Sequence, residues 1–260
     1  MRIVSICPSN TDIVCALGAA ELLVALDRSS DAAEVTHLPR VGPDLSVDVP
    51  AIAALAPDLV LSSSSVPGME RNLHALDAAG LRHLVVDATS IDDVLASIVR
   101  VGRALGLGER AVAVVAEMRA RLDAVARDAA ALPRRPRVHI EWWPRPVIVP
   151  GRRCWTSDMV TIAGGEPAFA DLDVRSTPVD DDAVRARAPE ILLTCWCGVP
   201  HEKQDPARIA RRPGWDGVPG VRSGWLRAAE ERHFGRPGPR LVEGVEWLHA
   251  QVRAWAGAAP

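Results

Sequence analysis

The side chains with the clearest potential for metal chemistry lie in one short segment of the chain. Cys195, Cys197 and His201 are clustered as the ligands of a zinc site would be. Paired zinc cysteines, however, are usually separated by about two to four residues, and one intervening residue on an extended strand sends the two side chains to opposite faces. We therefore predict no metal site from this segment.

Motifs that mark enzymes are absent from the sequence. It contains no G-x-S-x-G, Walker A or H-E-x-x-H motif, and no G-x-G-x-x-G follows the first predicted strand. Ser9 is better explained as a helix N-cap than as a nucleophile, with Asp12 spaced as in a capping box. An acid–base pair could come only from His201, His233 and Asp31. We predict no catalytic residue and no enzyme.

Composition excludes two further classes of protein. The 260 residues carry 30 basic and 33 acidic side chains, and the resulting net charge of −3 gives no basic field for nucleic acid. No uncharged run approaches the roughly 20 residues of a membrane-spanning helix. An apolar leader is missing after Met1, and the five cysteines do not form a disulfide pattern. We expect a cytoplasmic location if Met1 is the native start, and a periplasmic or other extracytoplasmic one if a leader was removed.

Short apolar runs alternate with helical-period segments, which indicates an α/β protein with mostly parallel sheet. Strands are predicted near Arg2–Cys7, Leu22–Leu26, Leu59–Ser62, Leu84–Asp87, Arg137–Trp142 and Ile191–Cys195. The predicted helices include Thr11–Leu17, Pro50–Leu55, Glu70–Ala79 and Ile91–Leu105.

One predicted helix is longer than the others. Residues 109–132 are almost all good helix formers, with Gly108 before them and Pro133 after them. Such a helix spans roughly 36 Å and suggests a strut between two halves. The predicted organisation is an N-terminal α/β lobe, an interlobe backbone helix and a C-terminal α/β lobe, at residues 1–107, 108–133 and 134–260.

The two halves resemble each other in sequence. Residues 47–63 and 179–195 share seven identical positions of 17 and describe the same short helix, Ala-Pro break and buried strand. A second pair, Thr-Asp-Ile-Val before Gly18 and Ser-Asp-Met-Val before Gly164, occurs in the same order. Two related pairs in register predict two similar Rossmann-like lobes, with a ligand cleft between them lined by loops at the carboxyl ends of the strands.

Tryptophan is enriched on those loops. The chain has eight Trp, two Phe and no Tyr, and four of the tryptophans fall on predicted cleft loops: Trp142, Trp143, Trp155 and Trp196. An indole offers a broad apolar face and one donor, which suits a large, partly apolar ligand. The loop before the last helix is interpreted as a cleft wall in which His233 or Phe234 touches the ligand. The arginine-rich stretches at residues 134–137 and 208–212 are interpreted as solvated connectors.

Seven segments together resemble the cobalamin-binding branch of the class III, helical-backbone substrate-binding proteins of ABC transporters. They are RIVSICPSNTDIVCALG, VDVPAIAALAPDLVLSS, GLRHLVVDATSIDDVLASI, EWWPRPVIVPGRRCW, MVTIAGGEPAFADLD, VDDDAVRARAPEILLTCWCG and GRPGPRLVEGVEWL. The wider family also contains receptors for haem and iron–siderophores. The resemblance implies two α/β lobes bridged by one long helix, in a periplasmic-binding-protein-like fold.

The resemblance also implies a function and a set of site residues. It implies a protein without intrinsic cofactor that holds a corrinoid, such as vitamin B12, between its lobes. Such a protein passes the ligand to an ABC permease or serves as a cytoplasmic carrier. The residues that would line the cleft are Pro8, Ser9, Asn10, Ser65, Val66, Trp142, Trp143, Trp155 and Trp196. The family presents one acidic residue from each lobe to the permease. Asp182 occupies the second of these positions, whereas Pro50 occupies the first, with only Asp48 nearby.

Alternative ligands remain open. A haem receptor is expected to offer Tyr or His as an axial ligand, and this chain has no Tyr. A siderophore receptor usually faces an anionic chelate with several arginines, and Arg145, Arg152 and Arg153 could do so. The alternative from another class is an enzyme on the same scaffold that acts on a tetrapyrrole-like or metal-chelate substrate.

Overall fold

The computed structural model describes residues 1–258, and the chain divides into two compact units. Unit 1 comprises Met1–Ala88 and Asp92–Glu117, and unit 2 comprises Thr89–Ile91 and the described chain from Met118 onward. The division predicted from the sequence, at residues 107 and 133, stays a prediction. Within the described part of the chain, no helix combines the length and the apolar character needed to cross a membrane.

Unit 1 is built on a four-stranded parallel sheet in the order β2-β1-β3-β4. The strands are β1 (Ile3–Ser5), β2 (Leu23–Leu26), β3 (Leu59–Ser63) and β4 (His83–Val86). The accompanying helices are α1 (Pro8–Ala16), α2 (Val49–Ala54), α3 (Glu70–Ala78) and α4 (Ile91–Ala104), with 3-10 turns at Ala20–Leu22 and Ala33–Val35. One core cluster packs Val4 and Ile6 against Ile52 of α2 and Leu76 of α3. Removing these apolar side chains from water is the main stabilising contribution to this face of the sheet.

Helix α5 (Gly108–Ala130) contributes residues to both units. It has 23 residues, close to the predicted span, and Pro133 follows shortly after its end. A proline lacks the N–H group that would continue the helical ladder, so the segment cannot extend further as a regular helix.

Unit 2 repeats the parallel sheet and adds a second one. The main sheet contains β5 (Arg137–Glu141), β8 (Glu166–Pro167), β10 (Ile191–Thr194) and β11 (Leu226–Ala228). Its order is β8-β5-β10-β11, which is the strand order of unit 1 when the strands are counted along the chain. A small antiparallel sheet contains β6 (Trp143–Pro144), β7 (Val147–Pro150) and β9 (Ser176–Val179).

The helices of unit 2 are α6 (Trp155–Ile162), α7 (Asp181–Ala186), α8 (Ala207–Ala210), α9 (Pro219–Arg222), α10 (Glu231–Phe234) and α11 (Leu241–Gly257), with a 3-10 turn at His201–Lys203. The predicted α/β class with two similar parallel-sheet halves is confirmed. The antiparallel sheet, β8, β11 and the short helices α8 to α10 were not predicted. Their segments are two to four residues long, too short for a hydrophobic period to show.

Two helices begin earlier than the sequence suggested. Helix α1 begins at Pro8 with Cys7 in extended conformation as its N-cap, so the interpretation of Ser9 as N-cap is wrong. Proline suits the first helical position because the N–H group that it lacks would have no intrahelical partner there. Helix α6 begins at Trp155 with Cys154 as its N-cap, so Trp155 lies on a helix and not on a loop.

Candidate functional site

The sequence-predicted site residues of unit 1 lie at the carboxyl ends of β1 and β3. Pro8, Ser9 and Asn10 form the first turn of α1 and are buried. The Asn10 side-chain amide donates a hydrogen bond of 3.0 Å to the Ser62 carbonyl, which ties the start of α1 to the end of β3. The two segments meet at one edge of the sheet because β1 and β3 are adjacent parallel strands, and this bond connects them there.

The segment that follows β3 supplies the other predicted residues of unit 1. Ser65 is 9% exposed, and its hydroxyl accepts a 2.9 Å hydrogen bond from the Ser63 hydroxyl. Val66, in contrast, is 40% exposed. An apolar side chain left open to solvent beside buried hydroxyls is available for contact with a ligand, whereas the serine hydroxyls mainly order the loop.

In unit 2, the strand ends bring two of the predicted tryptophans to one edge. Strands β5 and β10 are adjacent and parallel, with Glu141 opposite Thr194. The pairing continues beyond the strands, since the Cys197 amide donates to the Trp142 carbonyl at 3.2 Å. Trp142 directly follows β5, and Trp196 follows β10 after one intervening residue, Cys195. Both indoles are largely buried, at 9% and 2% exposure, so most of their surface stabilises the unit itself.

Trp143 differs from its neighbours because it is 41% exposed, on strand β6 of the small antiparallel sheet. After Pro144, the last residue of β6, the chain turns through a cis Arg145–Pro146 peptide bond into β7. This hairpin has no counterpart in unit 1, where only Ile6 and Cys7 separate β1 from α1. It supplies an open aromatic face at the carboxyl end of β5.

Glu141 is a fully buried carboxylate at the end of β5. Its Oε1 accepts the Trp196 indole N–H at 2.9 Å. The Arg212 guanidinium donates to both carboxylate oxygens, at 2.6 and 2.8 Å, and is itself only 15% exposed. Burial alone would raise the pKa of Glu141, but the neighbouring His139 ring and the Arg212 guanidinium outweigh it and hold the pKa below its ordinary value. The carboxylate is therefore ionised at neutral pH.

His139 lies beneath this pair on the same strand. Its ring is fully buried, against Phe169 and Trp215 at centroid distances of 6.0 and 6.2 Å. Its Nε2 is 3.8 Å from Glu141 Oε2, which is too long for a hydrogen bond. Neither ring nitrogen has a hydrogen-bond partner among residues 1–258.

A pocket of about 450 Å³ opens beside Trp196 in unit 2, and we call it the arginine pocket. It is lined by Pro144, Arg145, Trp196, Arg208, Arg211, Arg212 and Pro213. Arg212 is neutralised by Glu141 and Arg211 by Asp205. Arg145 and Arg208 have no acidic partner in the described chain, and the Arg208 guanidinium lies 5.9 Å above the Trp196 ring. The pocket thus combines an aromatic wall with two uncompensated positive charges.

The interpretation of residues 208–212 as a solvated connector is wrong for Arg212, which is half-buried and ion-paired with Glu141. A signal for this pair was present in the sequence. A glutamate that ends a buried apolar strand requires a cationic partner, because an unpaired buried carboxylate costs several kcal/mol. The sequence offers many arginines, so it does not identify which one.

Three further predicted residues lie together in unit 2, with Trp155 and Phe234 in its core and His233 half-buried. The Trp155 indole N–H donates to the Phe234 carbonyl at 2.9 Å, and the Phe234 ring packs edge-on against Trp247 at 5.8 Å. Trp155 and Phe234 are 2% and 1% exposed. His233 Nε2 lies 3.0 Å from a Glu243 carboxylate oxygen, and burial lowers the His233 pKa although Glu243 opposes that shift. These contacts hold α6, α10 and α11 together, and a role in ligand contact stays a prediction.

The two predicted docking residues have different surroundings. Asp48 is exposed, but its carboxylate caps α2 by accepting the Ala51 amide at 2.9 Å. The Asp182 side chain is 79% exposed in the first turn of α7 and forms an ion pair with Arg185. Among residues 1–258, no group of three or more His, Cys, Asp or Glu side chains could hold a metal ion.

Comparison with known proteins identifies the family. The profile of the periplasmic binding protein family matches residues 3–232. An ABC transporter substrate-binding lipoprotein of Bacillus subtilis is 29% identical over 257 residues, which cover 96% of this chain and 79% of the relative. A vitamin B12-binding protein of Yersinia pestis is 28% identical over 193 residues, which cover 74% of this chain and 68% of the relative.

A solved structure supports the same assignment. The periplasmic haem-binding protein RhuT from Roseiflexus sp. RS-1, in its apo form, superposes with a TM-score of 0.84 at 26% identity, covering 98% of both chains. The relatives named here are substrate-binding proteins and not enzymes, and their ligands are bound cargo rather than intrinsic cofactors. This chain belongs to the periplasmic binding protein family and is a substrate-binding protein of the ABC transporter type.

Proposed function

We propose that this protein binds a corrinoid of the cobalamin type and delivers it to an ABC permease. The observation that carries the proposal is the surface at the carboxyl ends of β5 and β10, where exposed Trp143 directly precedes Pro144 in the lining of a pocket walled by Trp196. A corrin ring is broad, partly apolar and rimmed by amide groups, so aromatic faces and donors suit it. The likeness to a vitamin B12-binding protein supports the same ligand class.

The predicted residues of unit 1 form a separate group. We propose that Val66, with the loop ordered by Ser65, and the α1 start at Pro8, Ser9 and Asn10 are ligand contacts of unit 1. Because Val66 is the exposed member of that group, it is the residue most accessible to a ligand.

A second candidate ligand is favoured by the arginine pocket. Arg145 and Arg208 leave two positive charges without acidic partners in the described chain, which suits the carboxylates of haem or of a ferric siderophore better than neutral amides. The likeness to a haem-binding protein agrees with that alternative.

The test is a visible-absorbance and calorimetric titration of the purified protein with aquocobalamin, with haemin as the second probe. We expect saturable one-to-one binding of aquocobalamin. If only haemin binds saturably, the proposed ligand is haem and not a corrinoid. If neither probe binds, the proposal is contradicted.

Trp143→Ala and Trp196→Ala test whether the tryptophans take part. We expect Trp196→Ala to weaken aquocobalamin binding at least tenfold, since about 1.4 kcal/mol of aromatic contact corresponds to that factor. Trp143→Ala should weaken binding with little change in stability, because its ring is already open to solvent. Trp225, a half-buried tryptophan at the amino end of β11, provides the matched control as Trp225→Ala. If all three variants bind aquocobalamin with the affinity of the wild type, Trp143 and Trp196 do not belong to the site.

We further propose that Asp182 is the permease contact of unit 2. Asp182 is 79% exposed at the start of α7 and is paired with Arg185 of the same helix, whereas Asp48 uses its carboxylate to cap α2. Such delivery requires a location outside the cytoplasmic membrane, and the named relatives include a lipoprotein and a periplasmic protein. Cell fractionation with a tagged full-length chain tests this, and recovery in the cytoplasm would favour a carrier instead.

A further inference from the structure

The first strands of the two parallel sheets, β1 in unit 1 and β5 in unit 2, correspond to each other residue by residue. Residue Ile3 of β1 lies opposite Leu59, and Val138 of β5 lies opposite Ile191. The sequence repeat aligns Leu59 with Ile191. Counting along each strand from these pairs, Val4 corresponds to His139, and Ile6 corresponds to Glu141.

The equivalent positions have opposite chemistry. In unit 1, Val4 and Ile6 are buried in an apolar cluster with Ile52 of α2. In unit 2, His139 and Glu141 are fully buried beside Phe169 and Arg212. Since aliphatic side chains fill the same two positions in unit 1, the fold itself does not require a carboxylate there. A buried ion pair is also not, in general, more stabilising than apolar residues of similar volume.

The hydrogen bonds of Glu141 indicate what the carboxylate does instead. It joins β5 to two segments far away in sequence, Trp196 after β10 and Arg212 after α8, and both of these residues line the arginine pocket. Glu141 is 0% exposed, so it does not reach a ligand itself. An indole ring free to rotate would lose conformational entropy on binding, and one held by an N–H bond has already lost it.

We propose that Glu141 is a positioning residue that fixes the Trp196 ring in the wall of the arginine pocket, while Arg212 neutralises the buried carboxylate. This inference rests on the proposed function, because the pocket wall matters only if a ligand contacts it. In this proposal Trp196 contacts the ligand, and Glu141 orients Trp196.

A pair of double variants separates positioning from folding. Glu141→Gln with Arg212→Met keeps a carbonyl that accepts the Trp196 N–H, and Glu141→Leu with Arg212→Met removes that acceptor. Both variants remove the buried charges together, so neither leaves an unpaired ion in the core. They also lack Arg212 equally, so they differ only in the side chain at position 141, which accepts the Trp196 N–H in one variant and not in the other.

Two measurements are made on the full chain. In ¹H–¹⁵N spectra, with the Trp196 indole resonance assigned from Trp196→Phe, we expect slow hydrogen exchange of that N–H in the Gln/Met variant and fast exchange in the Leu/Met variant. In titrations with aquocobalamin and with haemin, the Leu/Met variant should bind roughly tenfold more weakly than the Gln/Met variant, the factor expected from one lost hydrogen bond. Denaturant unfolding should show the two variants to be similarly stable.

Each result decides the inference. Equal exchange of the Trp196 N–H in both variants overturns it, and so does equal affinity in both for a probe that the wild type binds. A Leu/Met chain that does not fold also overturns it, because Glu141 would then be needed for folding. If the wild type binds neither probe, the proposed function fails, and the exchange measurement still determines whether Glu141 positions Trp196.

Discussion

Units 1 and 2 share not only a strand order but also individual contacts. The α2 and α7 helices are capped in the same way, by Asp48 on the Ala51 amide and by Asp180 on the Ala183 amide. Each helix is followed by an alanine with positive φ, Ala56 at 45° and Ala188 at 46°.

The repetition extends to the start of each sheet. The Arg2 amide donates to the Asp58 carboxylate at 2.6 Å, and the Arg137 amide donates to the Glu190 carboxylate at 3.0 Å. These are the acidic residues that follow the Ala-Pro break in each repeat. The contacts that recur are those that cap a helix or start a sheet.

The units differ where the first strand ends. Unit 1 continues from β1 into α1 with an apolar Ile6, whereas unit 2 places Glu141 there and inserts the β6–β7 hairpin before α6. The repeated contacts therefore specify the fold, and the unrepeated residues form the pocket.

The largest effect is expected when unit 1 is given the chemistry of unit 2. Ile6→Glu buries a carboxylate in the apolar cluster that Ile6 forms with Val4 and Ile52, so we expect a loss of about 3–5 kcal/mol in the free energy of unfolding. Ile6→Val is the matched control, with an expected loss of about 1 kcal/mol. Denaturant unfolding measures both. Similar stability of the two variants would show that the position tolerates either chemistry.

An intermediate effect on stability is expected from the two free cysteines that precede α1 and α6, Cys7 and Cys154. Burial raises the pKa of the Cys7 thiol to about 12 and that of Cys154 to about 11, from an ordinary value of 9.0. Because the unfolded thiols ionise first, the stability from each neutral thiol is complete below pH 9 and is lost as pH rises toward these values. By pH 11 the loss is roughly 2 kcal/mol per thiol.

Alanine variants measured across this pH range test that expectation. Cys7→Ala and Cys154→Ala should each make the fall in stability between pH 9 and pH 11 less steep. Cys197→Ala serves as the control, because Cys197 is exposed whereas Cys7 and Cys154 are buried. An identical pH dependence in all three variants would contradict the assignment.

A smaller effect, of the same size in both units, is expected for the helix caps. Asp48→Ala and Asp180→Ala each remove one acceptor from an amide at a helix start, which costs about 1 kcal/mol. Asp→Asn at the same positions keeps an acceptor and should recover most of the loss. The measurement is again denaturant unfolding, and a loss confined to one unit would show that the two caps are not equivalent.

The smallest effect is expected at the two alanines with positive φ. A left-handed conformation costs a residue with a Cβ about 1–2 kcal/mol, and glycine avoids this cost while losing about 0.5–1 kcal/mol of backbone entropy. Ala56→Gly and Ala188→Gly should therefore each stabilise the protein by about 0.5 kcal/mol. Precise thermal unfolding can resolve such a change. Opposite signs at the two positions would argue against a common conformational role.

Much of this architecture could be predicted from the sequence because its signals are local. The buried strands β1, β3, β5 and β10 lie within one or two residues of their predicted ends, since each contains apolar residues beside a turn signal. The Ala-Pro repeats predicted the paired helix–strand units for the same reason. The α1 start was misplaced because Pro8 begins the helix without a side-chain cap.

The pocket could be predicted only in part. Trp142 and Trp196 were placed correctly at neighbouring strand ends, because parallel strands bring their carboxyl ends together. Their burial and the pairing of Glu141 with Arg212 depend on tertiary contacts across 71 residues of sequence, and no local pattern encodes which arginine approaches. The hydrogen bond from the Trp155 indole to the Phe234 carbonyl in the core could not be predicted for the same reason.

The three consecutive aspartates at the start of α7 have three different partners. Asp180 caps the helix, Asp181 lies 4.0 Å from Arg212, and Asp182 pairs with Arg185. An arginine arriving from another protein at Asp182 would therefore meet a carboxylate that is already paired. Its binding would be an exchange, in which Arg185 returns to water as the incoming guanidinium takes its place. The affinity of such a contact is the difference between two ion pairs, which favours rapid release over tight attachment.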